Sequence, residues 1–263
     1  MTTENSADTG AAKAEPQEQS FLSHLIELRT RLVRSAIAIL IVFLALSPFM
    51  KEIFDVLSDP MMAALPAGSK LLATGVITPF MVPLKVTLFA AFIIALPYVL
   101  WQVWAFVAPG LYKHEKRLAA PMIVSSVGMF AAGVAYCYFI VFKLIFRFIA
   151  NFAPMSVTVS PDIEAYFSFV MGMFIAFGLT FEVPIVVVLL VRFGIADVAK
   201  LKQVRPYVIV GAFIVAAIFT PPDVVSQLLL AIPLVVLYEL GIVLARFVAK
   251  PKPAEETSPQ EAS

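Results

Sequence analysis

Six stretches of this chain are apolar over all or most of the length needed to cross a bilayer, and they leave few ways for it to fold. About 20 apolar residues in a helix match the hydrocarbon core of about 30 Å. The runs are 33–50, 77–108, 119–146, 166–191, 207–220 and 224–246. Polar or proline-marked connectors separate them. The chain is 61% hydrophobic and 14% charged, whereas a soluble domain carries about 25% charged residues. The fold expected is therefore an all-α integral membrane protein of six transmembrane helices. Prolines are numerous, 19 in all. Pro83, Pro97, Pro184 and Pro233 fall inside the spans, where each frees a carbonyl and favours a bend. They predict proline-kinked helices in a curved, concave arrangement.

The fifth run is short. Its fourteen residues reach about 21 Å as a helix, roughly 9 Å less than the hydrocarbon core. Pro206 marks its start and Pro221-Pro222 its end. A span of this length either thins the bilayer or recruits a neighbour.

Lys and Arg asymmetry sets the orientation. Fourteen of them flank the first run on its N-terminal side or lie in the connectors after runs two, four and six. Five lie on the other side, namely Lys51, Lys70, Lys85, Lys143 and Arg147. The richer side is cytoplasmic, with both termini inside. Residues 1–19 lack the apolar core of a signal peptide and are expected to be a disordered cytosolic leader. Residues 248–263 are expected to be a disordered cytosolic tail. The membrane domain is 20–247.

Just before the first run lies FLSHLIELRTRLVR, 21–34. At helical spacing Phe21, Leu25, Leu28 and Leu32 form one stripe, and His24, Glu27, Arg31 and Arg34 the other. The pattern predicts an amphipathic helix at the membrane interface with its charged face toward water. Glu27 and Arg31, at i and i+4, also suit a simple ion pair. Glu27 and Glu115 both stand among basic residues on the cytoplasmic side. A carboxylate holds a guanidinium with two parallel hydrogen bonds, so each acid suits either a surface ion pair or an arginine site.

Glu182, in FGLTFEVPIVV, is the acid at the centre of a span. An ionisable group there faces the protein interior or a wet cavity. Thr220 and Gln227 add polar groups around the end of the fifth run. Glu239 is expected to snorkel or to pair with Arg246. Cys137 stands alone, so no internal disulfide is possible, and it reads as a small packing residue. No catalytic residues are found: the sequence has neither HExxH nor GxSxG. His24 and Glu27 have a spacing that suits metal ligands, but no convergent third ligand accompanies them. No metal or other cofactor is expected. Nor is a nucleic-acid partner, since no basic stripe is present.

Four long segments decide between the remaining classes. HLIELRTRL, WQVWAFVAPGLYKHEKR, SFVMGMFIAFGLTFEVP and RPYVIVGAFIVAAIFTPPDVVSQLLLAIP, in that order, resemble the TatC family, the signal-peptide receptors of the bacterial twin-arginine protein translocase. The likeness runs from about Phe21 to about Phe247. It implies a cytoplasmic (inner) membrane receptor for signal peptides with consecutive arginines. Such a receptor works with other copies of itself and with single-span TatA-like and TatB-like proteins, and exports folded cargo on the proton-motive force. By the same resemblance Glu27 and Glu115 are the arginine-recognising acids, with Arg29 in the same segment. Glu182 is the intramembrane acid, and Thr220 and Gln227 dock partner helices. Asp223, Pro60 and Phe106 lie on other positions the family uses. The alternative, a proton-coupled secondary transporter with Glu182 as carrier, calls for an internal repeat and a broken-helix site at mid-membrane. The sequence shows neither.

Overall fold

A computed structural model describes residues 15–66, 69–111, 116–152, 160–220 and 223–248, with the side chains of 15–24, 107–119 and 248 left aside. Among these residues the fold is all-helical. The helices are α1 (Glu15–Leu46), α2 (Met50–Met62), α3 (Thr78–Leu111), α4 (Lys116–Tyr136), α5 (Phe142–Phe152), α6 (Ile163–Arg192), α7 (Val198–Gln203), α8 (Arg205–Phe219) and α9 (Val224–Val248). A 3₁₀ turn, Ser47–Phe49, joins α1 to α2, and a π turn, Cys137–Val141, joins α4 to α5. Five stretches are long and apolar enough to cross a membrane: Leu25–Met62, Thr78–Phe106, Ala120–Phe152, Ile163–Arg192 and Val224–Phe247. The sixth apolar helix, α8, has 15 residues and reaches about 22 Å. The chain is a multi-pass membrane protein whose fifth span is short, as its prolines dictate.

Three boundaries differ from the sequence expectation. The segment 21–34 is not a separate interfacial helix, because α1 runs unbroken from Glu15 to Leu46. No Gly or Pro between Phe21 and Leu46 interrupts it. Nor does its charged face simply meet water. Leu25, Leu28 and Leu32 are the uncovered side, while Ser35 is buried. The connector 51–76 opens as helix α2. Met50, Ile53, Phe54, Leu57 and Met61 follow helical spacing, and Lys51, Glu52, Asp55 and Asp59 are exposed. The short helix α7 interrupts the connector 192–206.

The chain divides into two compact units, Met1–Ser58 with Ala73–Val127, and Asp59–Leu72 with Gly128–Ser263. In the first, α1 packs along α3. Within it the Trp104 indole donates to Ser126 Oγ at 3.1 Å, which satisfies both polar groups between apolar helices. In the second unit α6 is the hub and packs along α9. Small residues allow the approach. A Cβ built on Gly133 would lie 2.6 Å from the Phe177 carbonyl oxygen, and one on Gly241 would lie 2.9 Å from Pro184 Cα. Phe130 occupies the space beside Gly178. The lone cysteine, Cys137, is fully buried.

The ends of α6 are fixed by backbone chemistry. Asp162 caps its start, Oδ1 accepting from Glu164 N at 2.9 Å and Ala165 N at 3.0 Å. Leu72 pairs with this cap, donating to Pro161 O and accepting from Ile163 N. At the other end Gly194 has φ +70°. Gly194 N–H donates to Val191 O and Ile195 N–H to Leu190 O. This is a Schellman closure, which needs the left-handed conformation that glycine adopts at little cost.

Candidate functional site

In the first unit, a polar cluster joins α1 to α3. Glu27, on the first turns of α1 beyond the leader, accepts from Arg31 Nη2 at 2.6 Å and from Arg31 Nε at 3.0 Å, both on Oε1. The i, i+4 spacing brings the two together on one face. The Arg31 guanidinium also donates through Nη1 to Gln102 Oε1 of α3 at 3.3 Å. Gln102 is 6% exposed. Arg31 is thus held from two sides, with its side chain 21% exposed and that of Glu27 39% exposed. A carboxylate offers about four lone-pair sites, and Arg31 takes both of its bonds at one oxygen. Arg29 lies on the exposed side of α1. Phe106 is half-buried, one turn beyond Gln102 on α3. Glu115, His114 and the rest of the segment 112–115 lie outside the described residues, as does the side chain of His24.

The second unit holds three further places. Thr220 ends α8 in extended conformation, its hydroxyl donating to Ala216 O at 2.8 Å. Asp223 opens α9: Oδ1 accepts from Ser226 N at 2.7 Å, a side-chain cap that satisfies a first-turn donor. Gln227 Nε2 reaches back to Phe213 O of α8 at 3.2 Å. The α8–α9 hairpin thus gathers Thr220, Asp223 and Gln227 on either side of Pro221-Pro222, which lie outside the described residues. Around them Ile218 and Val224 are each more than 70% exposed.

Glu182 lies near the middle of α6, 9% exposed, with Oε1 fully enclosed. Two residues on, Pro184 packs against Gly241 of α9. The Phe181 ring lies 5.6 Å from that of Tyr136. The helix continues without a break through Glu182 and Pro184, so the broken-helix site of a secondary transporter is not built here. Pro60 sits inside α2 at the edge of a cavity of about 300 Å³.

One expected pair is corrected. Glu239 does not pair with Arg246; it takes Arg205 Nη2 at 2.5 Å. Arg205 opens α8, where Pro206 fixes the turn, and the contact spans 34 positions that helical spacing does not reveal. Tyr238, beside Glu239, donates to Leu201 O of α7 at 2.8 Å.

A sequence model of the family "Sec-independent protein translocase protein (TatC)" matches residues 23–233. The chain belongs to the TatC family. It is 50% identical to the Escherichia coli K12 Sec-independent protein translocase protein TatC over 239 residues, which is 90% of this chain and 93% of that one. It is 49% identical to the Halothiobacillus neapolitanus TatC over 88% of this chain, and spans 63% of that longer relative. A crystal structure of the twin-arginine translocase receptor TatC superposes with a TM-score of 0.76 at 38% identity. The match covers 86% of this chain and 99% of that one. This TatC-family chain carries Glu27, Arg31, Gln102, Glu182 and the α8–α9 polar hairpin inside the matched region. Gln102 and the Arg205–Glu239 pair are the contributors that spacing alone did not single out.

Proposed function

We propose that this chain is the receptor subunit of a twin-arginine translocase, binding signal peptides with consecutive arginines at the cytoplasmic end of α1. The observation that carries the reading is Glu27 and its bound guanidinium. The carboxylate already takes Arg31 through two nitrogens, the chemistry needed for an arginine of the signal. Glu27 is only partly covered, so an incoming guanidinium has access. Arg31, tied to buried Gln102, fixes the orientation of the acid. Glu115 supplies the second acid, with Arg29 and Phe106 flanking.

Both termini are cytoplasmic in the inner membrane, with 1–19 and 248–263 as cytosolic tails around the membrane domain 20–247. The short span α8 and the hairpin of Thr220, Asp223 and Gln227 dock single-span TatA-like and TatB-like partners, which cover the apolar side chains exposed there. Glu182 acts inside the membrane, drawing water or a proton to α6 while cargo crosses on the proton-motive force. Other copies of the chain assemble with it. Site-specific photocrosslinking in membranes tests the reading. A photoreactive residue at Leu28 is expected to capture a twin-arginine precursor and not its twin-lysine form. Equal capture of both overturns it.

A further inference from the structure

The third span does not run as one α-helix. Between α4 and α5 the π turn Cys137–Val141 adds a residue to the winding. Such turns are rare and gather at functional sites. Here the turn carries Tyr138 and Phe139 to the wall of the cavity of about 300 Å³. Asp59 of α2 and Lys143 and Arg147 of α5 supply its charged side, with Pro60 of α2 beside them. All six residues belong to one compact unit.

The two cations are the informative pair. Lys143 and Arg147 are i and i+4 on one face of α5, a spacing at which like charges repel. Both are exposed, and neither makes an ion pair or hydrogen bond with another described residue. They are also two of the five basic residues on the side that the charge asymmetry leaves poor. An anion between them turns the repulsion into a clamp, and the Arg147 fork suits two oxygens of one phosphate.

The surroundings define what carries that anion. Beside the cations Leu144, Phe148 and Phe152 form an exposed i, i+4, i+8 stripe, and Phe152 is 79% exposed. Basic heads beside aromatic rings at the end of a span match the headgroup layer of a bilayer. The lining holds two cations and one carboxylate, a balance of one positive charge that a singly charged phosphodiester neutralises. The volume lies at the small end of ligand sites, about 300–1,000 Å³, and suits a headgroup.

We infer that this cavity binds the phosphodiester headgroup of a membrane phospholipid. Lys143 and Arg147 take the phosphate. Asp59 and the Tyr138 hydroxyl take the hydroxyls of the headgroup alcohol. An acyl chain lies along Leu144, Phe148 and Phe152. On the orientation proposed above this is the non-cytoplasmic leaflet, but the binding chemistry does not depend on that orientation.

Native mass spectrometry of the full-length protein in detergent, titrated with dioleoyl-phosphatidylglycerol, tests the site. K143Q/R147Q is expected to lose lipid affinity about 25-fold, from about fivefold per cation near a lipid surface. K143R/R147K keeps the charge and is expected to bind within about threefold of the native chain, which separates lost binding from lost folding. K51Q/K70Q, a pair of exposed lysines that do not line the cavity, is the control and is expected to change nothing. Unchanged binding in K143Q/R147Q, or an equal loss in K51Q/K70Q, overturns the site. Glycerol 3-phosphate has the phosphate without the chains, and is expected not to displace the lipid. If it binds as tightly, the site serves a soluble phosphate and the lipid assignment falls.

Discussion

Arg31 holds Glu27 through two hydrogen bonds to a single carboxylate oxygen, Nη2 at 2.6 Å and Nε at 3.0 Å. The pair is partly solvated on both sides, and exposed i, i+4 pairs contribute only about 0.3–0.5 kcal/mol. Glu27 is thus cheap for the fold to lose. Glu27→Gln is expected to change stability by less than about 1 kcal/mol in thermal unfolding in detergent, while twin-arginine peptide binding falls at least tenfold. A larger stability loss with binding intact would make Glu27 a structural residue.

For Glu182 the expected order is a ranking of substitutions. A charge at mid-membrane costs about 2.5 kcal/mol or more, so the buried side chain persists for a polar reason. Glu182→Gln is expected to keep part of the transport measured in inverted vesicles, and Glu182→Leu little. Signal-peptide binding is expected to stay native in both, since α6 and the Glu27 cluster belong to different compact units. Normal transport by Glu182→Leu would remove Glu182 from the mechanism.

The α8–α9 hairpin gives a mapping experiment. Single cysteines at Ile218 and Leu228, exposed beside Thr220 and Gln227, are expected to form disulfides with cysteines placed in the span of a TatB-like protein. A cysteine at Val124 of α4, as exposed as Ile218, is the control. Equal yields at all three would mean that the hairpin docks nothing in particular.

Glycine packing around α6 yields a stability test. Gly133→Ala forces a methyl within 2.6 Å of a carbonyl oxygen, and overpacking of this kind costs about 1–3 kcal/mol. Gly128, whose Cβ position meets nothing within 4 Å beyond its chain neighbours and its own helix backbone, tolerates alanine and is expected to gain up to about 1 kcal/mol through helix propensity. Equal unfolding midpoints for the two variants would contradict the packing described for α4 and α6.

The spans were legible because lipid leaves an apolar segment of this length little choice but a helix, and because Pro206 and Pro221 fence in the fifth. Helix α2 was not, since its four charged residues hide an apolar face that only packing reveals. The 21–34 helix is legible in its amphipathic pattern, but its continuity into the span is not: such a pattern does not say where a helix stops without a breaker. At the candidate site, Glu27 and Arg31 are readable from their spacing. Gln102 lies 71 positions from Arg31, and Arg205 lies 34 positions from Glu239. No local rule joins such partners. The π turn has no signature in CYFIV that we can name.

The central claim is that Glu27, with Glu115, recognises arginine as a guanidinium and not merely as a charge. Fluorescence anisotropy of a labelled twin-arginine signal peptide, titrated with the full-length protein in nanodiscs, tests it most directly. Each charge-assisted contact contributes about 1.5–3 kcal/mol. Glu27→Ala or Glu115→Ala is therefore expected to weaken binding at least tenfold, and the double variant to abolish it. A twin-lysine peptide is expected to bind the native chain poorly, because an ammonium lacks the planar fork. Native affinity in the double variant, or equal affinity for the two peptides, would contradict the account.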